Sequence, residues 1–230
     1  TEGKKSREVV EYGIEALKAV WHRGAVDADG KTGDGAGIHI EIPHDFFVEK
    51  IETKGHKHDG SEICVGMIFL PRNNFDDQES CKTLVEKELT QSNFKIYGWR
   101  QVPINTKVLG EKANSNRPEI TQILFKPNDK KFADKELERK LYEIRRKIEK
   151  EVIKNNIEGF YVCSLSSKSI IYKGMFLAEA LSSFYSDLND ARFISRYVIF
   201  HQRFSTNTAP GWSLAQPFRA IAHNGEINTY

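Results

Sequence analysis

The stretch His201-Gln202-Arg203-Phe204-Ser205-Thr206-Asn207-Thr208 follows Tyr197-Val198-Ile199-Phe200, an apolar run that reads as a strand. It therefore sets an arginine and several hydrogen-bonding side chains at a strand end. The planar guanidinium of Arg203 is suited to gripping a carboxylate through two parallel hydrogen bonds, with the Thr206 hydroxyl close by in sequence. Taken alone, an arginine at this place is read first as one partner of a surface salt bridge.

Two further clusters carry polar chemistry. In His223-Asn224-Gly225-Glu226, Asn-Gly is a tight-turn signal. The Asn224 side-chain amide and the Gly225 N–H can also aim at one developing negative oxygen, as in an oxyanion hole. The third cluster is His22-Arg23-Gly24-Ala25 followed by Thr32-Gly33-Asp34-Gly35-Ala36-Gly37. It lacks the G-x-x-x-x-G-K-[ST] pattern, and its order is helix, loop, strand, so a plain glycine-rich loop is favoured over a phosphate cradle.

Working outward, Ser6 is placed to cap a helix running to about residue 20, with Val10, Ile14, Leu17 and Trp21 on one face. The loop of residues 22–37 then leads into a strand over 38–42 that Pro43 ends. Residues 63–70 and 119–125 read as strands and 81–89 as a short helix, while 54–60 and 110–118 read as loops. Residues 133–155 form the clearest helix, with Leu137, Leu141, Ile144, Ile148 and Val152 as its stripe and a solvated charged face opposite. Residues 160–166 and 170–173 read as a hairpin around Ser167-Lys168-Ser169, 176–188 as helix, and 220–222 as strand.

The chain has 230 residues, with 39% hydrophobic and 29% charged side chains and a net charge of +2. That length buries a core without help from disulfides or metals. The charge balance argues against nucleic acid or an anionic membrane as partner, and no apolar run approaches the roughly 20 residues of a membrane helix. Cys64, Cys81 and Cys163 form neither a CxxC nor a Cys/His cluster, so no metal site is expected. An odd, sparse set fits a reducing compartment.

Taken together, the motifs HRGAVDADGKTGDGAGI, YVCSLS, IYKGM, HQRFSTNT, Trp212, LAQPFR and AHNGEINT resemble, in the same order, those of glutamate synthase large subunits. The resemblance runs essentially the full length. It implies an α+β fold, a four-layer αββα sandwich of the N-terminal-nucleophile hydrolase type. Residues 1–230 are then expected to be part of a type 2 (class II) glutamine amidotransferase domain truncated at both ends, with 46–160 as a family-specific elaboration. The family's nucleophile is a cysteine at the first residue of the mature protein. Its strand is expected just before Thr1, so these residues alone are expected to be inactive.

The resemblance carries roles over by position. Arg203 matches the arginine that holds the α-carboxylate of glutamine, and Thr206 a hydroxyl lining the same pocket. Asn224 and Gly225 match the oxyanion hole, and Arg23 an arginine that orders the site beside the nucleophile. It implies hydrolysis of L-glutamine to glutamate and ammonia, which downstream domains of the same chain use to aminate 2-oxoglutarate reductively. FMN and an iron-sulfur cluster are expected in those domains and no cofactor in these residues. A small subunit or ferredoxin is a further candidate partner, and the location is cytoplasmic or the plastid stroma. Two other readings stay open: a non-catalytic glutamine-binding or regulatory paralogue that has lost the cysteine, and another class II amidotransferase acting on a phosphoribosyl or sugar-phosphate acceptor.

Overall fold

The computed structural model describes residues 3–128, 132, 134–202 and 209–219. The chain divides into two compact units. The first draws on the chain up to Ile40, on Pro103–Arg117 and on the chain from Ile171 onward; the second consists of Glu41–Val102 and Pro118–Ile170.

The first unit begins with α1 (Arg7–Ala19), capped as expected: the Val9 N–H donates to Ser6 Oγ at 3.3 Å. Val10, Ile14 and Leu17 are buried, with Gly13 in direct contact with the Val198 side chain. Trp21 falls outside the stripe. It starts a 3-10 turn, Trp21–Arg23, and is 61% exposed. The unit's sheet has three strands in the order β6 (Ser169–Phe176), β1 (Thr32–Glu41), β7 (Val198–Gln202). β1 and β7 are antiparallel, with Ala36 opposite Gln202 and Ile40 opposite Val198.

The expected loop over residues 22–37 is corrected here. β1 begins at Thr32, and all of its residues are buried. Gly33, Gly35 and Gly37 are strand residues: a Cβ on Gly33 would lie 2.5 Å from the Phe176 backbone, and one on Gly35 3.0 Å from Ala215 Cβ. Glycine serves there because other chain segments lie directly on the strand.

In the second unit, α2 (His44–Glu52) follows Pro43. The sheet is antiparallel in the order β3 (Phe94–Gln101), β4 (Glu119–Pro127), β2 (Cys64–Leu70), β5 (Tyr161–Ser166). α3 (Phe75–Gln91) and α5 (Asp134–Lys154) cover it. The stripe read from sequence on α5 packs with Cys81, Val85 and Leu89 of α3 against Cys64, Ile68, Ile123, Phe125 and Val162 of the strands. Fully burying each Leu, Ile or Val contributes about 1.5–3 kcal/mol. α3 is longer than expected because Asn74 caps it, its Oδ1 accepting from the Asp77 N–H at 3.1 Å. β3 escaped notice because its pairing shifts register between Ile96 and Gly98, which breaks the alternation. α4 (Glu111–Ser115) is a single turn within the expected loop.

Two other expectations fail for clear reasons. β5 and β6 are not a hairpin, since β5 pairs with β2 and β6 with β1. The connecting backbone bonds elsewhere: the Ser167 N–H donates to Glu138 Oε1 at 2.7 Å and the Lys168 N–H to Ser166 Oγ at 2.9 Å. The expected helix over 176–188 is broken into Ala178–Ala180, α6 (Leu181–Phe184) and Ser186–Asn189. The Phe184 carbonyl accepts from the Asn105 N–H at 2.9 Å, and the Tyr185 hydroxyl reaches the Lys173 carbonyl at 2.8 Å. Among the described residues no helix is long and apolar enough to cross a membrane.

Candidate functional site

Arg23 closes the 3-10 turn after α1 and is exposed. Beyond it the chain runs beside the start of β1: the Asp34 N–H donates to the Ala25 carbonyl at 3.3 Å, and the Ala25 N–H to Asp34 Oδ1 at 3.1 Å. Gly24 lies against the side chain of Gln202, the last residue of β7. The His22-Arg23-Gly24 cluster thus meets the strand end from which Arg203 follows. Gln202 is 7% exposed, and neither Nε2 nor Oε1 has a hydrogen-bond partner among the described residues. Sequence reasoning missed it, because a glutamine between His201 and Arg203 carries no burial signal of its own.

The loop joining Val26 to β1 is locked by Asp29. Its Oδ1 accepts from the N–H groups of Thr32 at 2.7 Å and Lys31 at 3.0 Å, and its Oδ2 from the Thr32 hydroxyl at 2.6 Å. These bonds, the Thr32 hydroxyl first, hold its carboxyl well below the usual carboxylate range. Asp27 is also lowered, chiefly by its hydrogen bond with Lys112, whose Nζ lies 2.5 Å away. Thr32 Oγ1 accepts from the Ala113 N–H at 3.1 Å, and the Trp212 indole N–H donates to the Ala113 carbonyl at 3.0 Å.

From Trp212 to Arg219 an irregular strap runs along β1. Trp212 packs on Gly174, Ala215 on Gly35, and the Gln216 carbonyl on Gly37. His39 is next on that face of the strand. Burial first, and the charge of Arg219 second, push its pKa down. The strap is held from below by Lys173, 1% exposed, whose Nζ donates to the carbonyls of Ser213 at 2.8 Å and Ala215 at 2.6 Å. The same ammonium sits 4.9 Å from the Phe218 ring centroid.

Arg203, Thr206, Asn224 and Gly225, together with the strand expected over 220–222, lie outside the described residues. Of the carried-over residues, Arg23 alone is placed. Cys64, Cys81 and Cys163 are all buried free thiols. Burial pushes Cys64 well above its ordinary value and Cys81 up to about 12. Such thiols do not supply the thiolate that a nucleophile requires. Among the described residues no group of three or more His, Cys, Asp or Glu is arranged to hold a metal.

The family profile of class-II glutamine amidotransferases matches residues 1–230. The chain belongs to the class-II glutamine amidotransferases. It is α+β, of the N-terminal-nucleophile hydrolase type, with its two sheets accompanied by helices. The chain is 60% identical over 228 residues to the glutamate synthase [NADPH] large chain of Azospirillum brasilense. It is 43% identical over 232 residues to the ferredoxin-dependent glutamate synthase of Cyanidium caldarium, and 39% over 230 to the chloroplastic ferredoxin-dependent enzyme of Spinacia oleracea. Each match covers 99% of this amidotransferase chain but only 15%, 15% and 14% of the respective relatives.

Proposed function

We propose that this domain hydrolyses the side-chain amide of L-glutamine to glutamate and ammonia, as the glutaminase part of a glutamate synthase. The observation that carries the reading is the 60% identity, over 99% of the chain, to a glutamate synthase large chain. No observation favours the non-catalytic paralogue. Arg203 grips the α-carboxylate of glutamine and Thr206 lines the same pocket. A cysteine thiolate attacks the side-chain carbonyl, the Asn224 amide and the Gly225 N–H stabilise the oxygen as it becomes negative, and water releases glutamate from the thioester. Arg23 orders the site from the first unit. Cys64, Cys81 and Cys163 are excluded as the nucleophile by their burial.

The ammonia serves the reductive amination of 2-oxoglutarate in the complete protein. FMN and an iron-sulfur cluster belong to that step, in other parts of the protein. Cys64, Cys81 and Cys163 are three thiols where an iron-sulfur cluster takes four, so these residues by themselves do not fit one. Ferredoxin or a small subunit would be the partner, in the cytoplasm or a plastid stroma. Residues 46–160, which contain most of the second unit, are an elaboration on the amidotransferase domain.

The test is ammonia release from glutamine by the complete protein, with Arg203→Ala beside it. Loss of a charge-assisted contact worth about 1.5–3 kcal/mol raises KM by about 10–150-fold. A lowered kcat with KM unchanged would remove the carboxylate clamp. Glutamine binding without turnover would establish the non-catalytic paralogue instead.

A further inference from the structure

We propose that a cavity beside α5 in the second unit binds a free α-amino acid with an apolar side chain, a ligand that is neither the substrate nor a product of glutamine hydrolysis.

The cavity holds about 280 Å³. That is just below the usual range of small-molecule sites, about 300–1,000 Å³, and suits a ligand of amino-acid size better than a nucleotide. Its floor is apolar: Pro127 at the end of β4, Leu137 of α5, and Phe132 between them in sequence. Leu137 is fully within the core that α3 and α5 form on the sheet, and Phe132 packs against that core. The Phe132 ring stacks on Phe94, 9° from parallel with centroids 6.4 Å apart. A floor packed in this way is already in place before a ligand arrives.

One wall is the loop of residues 59–62, and its shape is fixed by its own bonds. The Ser61 N–H donates to Asp59 Oδ1 at 3.1 Å, and Lys126 Nζ donates to Asp59 Oδ2 at 2.6 Å. His58 spans the loop: its Nδ1 accepts from the Gly60 N–H at 3.2 Å, and its Nε2 lies 3.0 Å from the Ser61 carbonyl. The bond with Lys126, before any other, holds the Asp59 carboxyl well below the usual carboxylate range. The Ser61 hydroxyl adds to that effect. Its oxygen is nevertheless shielded from solvent and makes no well-formed hydrogen bond among the described residues. A shielded hydroxyl ordinarily has a partner, and this one belongs to a residue that lines the cavity.

Both signs of charge stand at the mouth. Asp59 is paired with Lys126, and Glu62 with Lys168 at 3.1 Å. The two pairs balance, so a ligand with a single charge of either sign meets as much repulsion as attraction. A zwitterion does not: its ammonium goes to Glu62 and its carboxylate to Lys168. The side chains of Glu62 and Lys168 are 36% and 44% exposed, and an ion pair so exposed is weak enough to open around a ligand. The floor then selects the side chain. An aliphatic or aromatic group lies on Phe132 and Leu137, whereas the polar end of glutamine or glutamate would be buried there without partners.

The experiment is isothermal titration calorimetry of the complete protein with L-leucine and L-phenylalanine. Isoamylamine, which is leucine without its carboxylate, and isocaproate, which is leucine without its ammonium, are titrated beside them. The expected result is saturable binding of both amino acids below about 10 mM, an ordinary affinity for ligands of this size. Isoamylamine and isocaproate should each bind at least about tenfold more weakly. Glu62→Gln, on the exposed rim, should weaken leucine binding by about 10–150-fold, and Phe132→Ala should weaken it as well, with thermal unfolding used to show that both variants fold. Absence of saturable binding of either amino acid would overturn the proposal. So would leucine binding left intact by Glu62→Gln, or an amine or acid that binds as tightly as leucine. Because neither residue belongs to the glutaminase machinery, ammonia release from glutamine should be the same in both variants as in the parent.

Discussion

At Gly37 an added methyl group would lie 2.5 Å from the Gln216 carbonyl oxygen and 2.9 Å from that of Tyr172. Both are backbone atoms, which cannot swing aside. Gly37→Ala should therefore destabilise the domain by about 1–3 kcal/mol, the ordinary cost of overpacking, read as a shift of the denaturation midpoint. Gly30, in the same glycine-rich stretch, has no atom within 4 Å of an added Cβ and only a positive φ of +71 against it. Gly30→Ala should cost about 1 kcal/mol from backbone conformation alone. Equal losses at both sites would show that the strap does not press on Gly37. A second expectation concerns the thiols. Burial keeps Cys64 and Cys81 protonated up to strongly alkaline pH, so both should resist iodoacetamide at pH 8 in the native state and react once the protein is unfolded. Rapid native labelling of either residue would contradict its burial. At this scale the sequence was partly legible. The motif residues announced themselves as clusters, and buried cysteines in apolar runs were foreseeable. Lys173 was not, because a lysine in a strand reads as solvent-facing until the carbonyls that receive it are seen.

The loop between Val26 and β1 is the element most dependent on one carboxylate. Asp29 is ionised far below its ordinary pKa of 3.8 because its charged form accepts the Thr32 hydroxyl and three backbone N–H groups, those of Lys31, Thr32 and Lys112. A carboxylate whose folded-state pKa is depressed lends stability that is fully present above its unfolded value. That stability is lost as pH falls through the folded-state value. The melting temperature should therefore fall as pH is lowered below about 3.8. Asp29→Asn should start lower and fall less steeply over the same window. Parallel curves for the two proteins would remove Asp29 as a source of the acid sensitivity. Elements whose reasons are local were read correctly: the Ser6 cap of α1 and the apolar stripe of α5. The strands over 63–70 and 119–125 were read as well, but which strand pairs with which was not. β5 and β6 look like a hairpin because only Ser167 and Lys168 separate them, yet Glu138 takes the connecting N–H and each strand pairs in a different sheet.

On the scale of the whole molecule, β3 and β4 are antiparallel neighbours in the second unit, and the chain between them belongs to the first. The ladder still holds at its end, where the Val102 N–H donates to the Ile120 carbonyl at 3.1 Å. Residues 103–117 are thus an excursion from a hairpin. Replacing them with Asn-Gly, which closes a tight turn unaided, should leave the four-stranded sheet folded. It should cost the first unit the contacts of Lys112 and Ala113 with Asp27, Thr32 and Trp212. Hydrogen exchange is the measurement: protection should persist at residues 64–70 and 119–127 and fall at residues 27–34. Loss of protection in β2 and β4 would mean that the excursion holds the second sheet together.

The register that sets Ala36 opposite Gln202 also has a consequence in time. A ribosome adding about 5–20 residues per second needs on the order of ten seconds to pass from one of these residues to the other. For most of that interval β1 waits while β6 and β7 are still to be made, and every strand of the other sheet is made before them. Ile38 and Ile40 are then without their partners in a nascent chain. Their strand is, however, interrupted by Gly33, Gly35 and Gly37 and by the charge of Asp34. Glycine and charge make a poor template for pairing with a neighbouring polypeptide on the same message. The residues that let the strap lie on β1 in the finished protein thus also guard that strand while it waits.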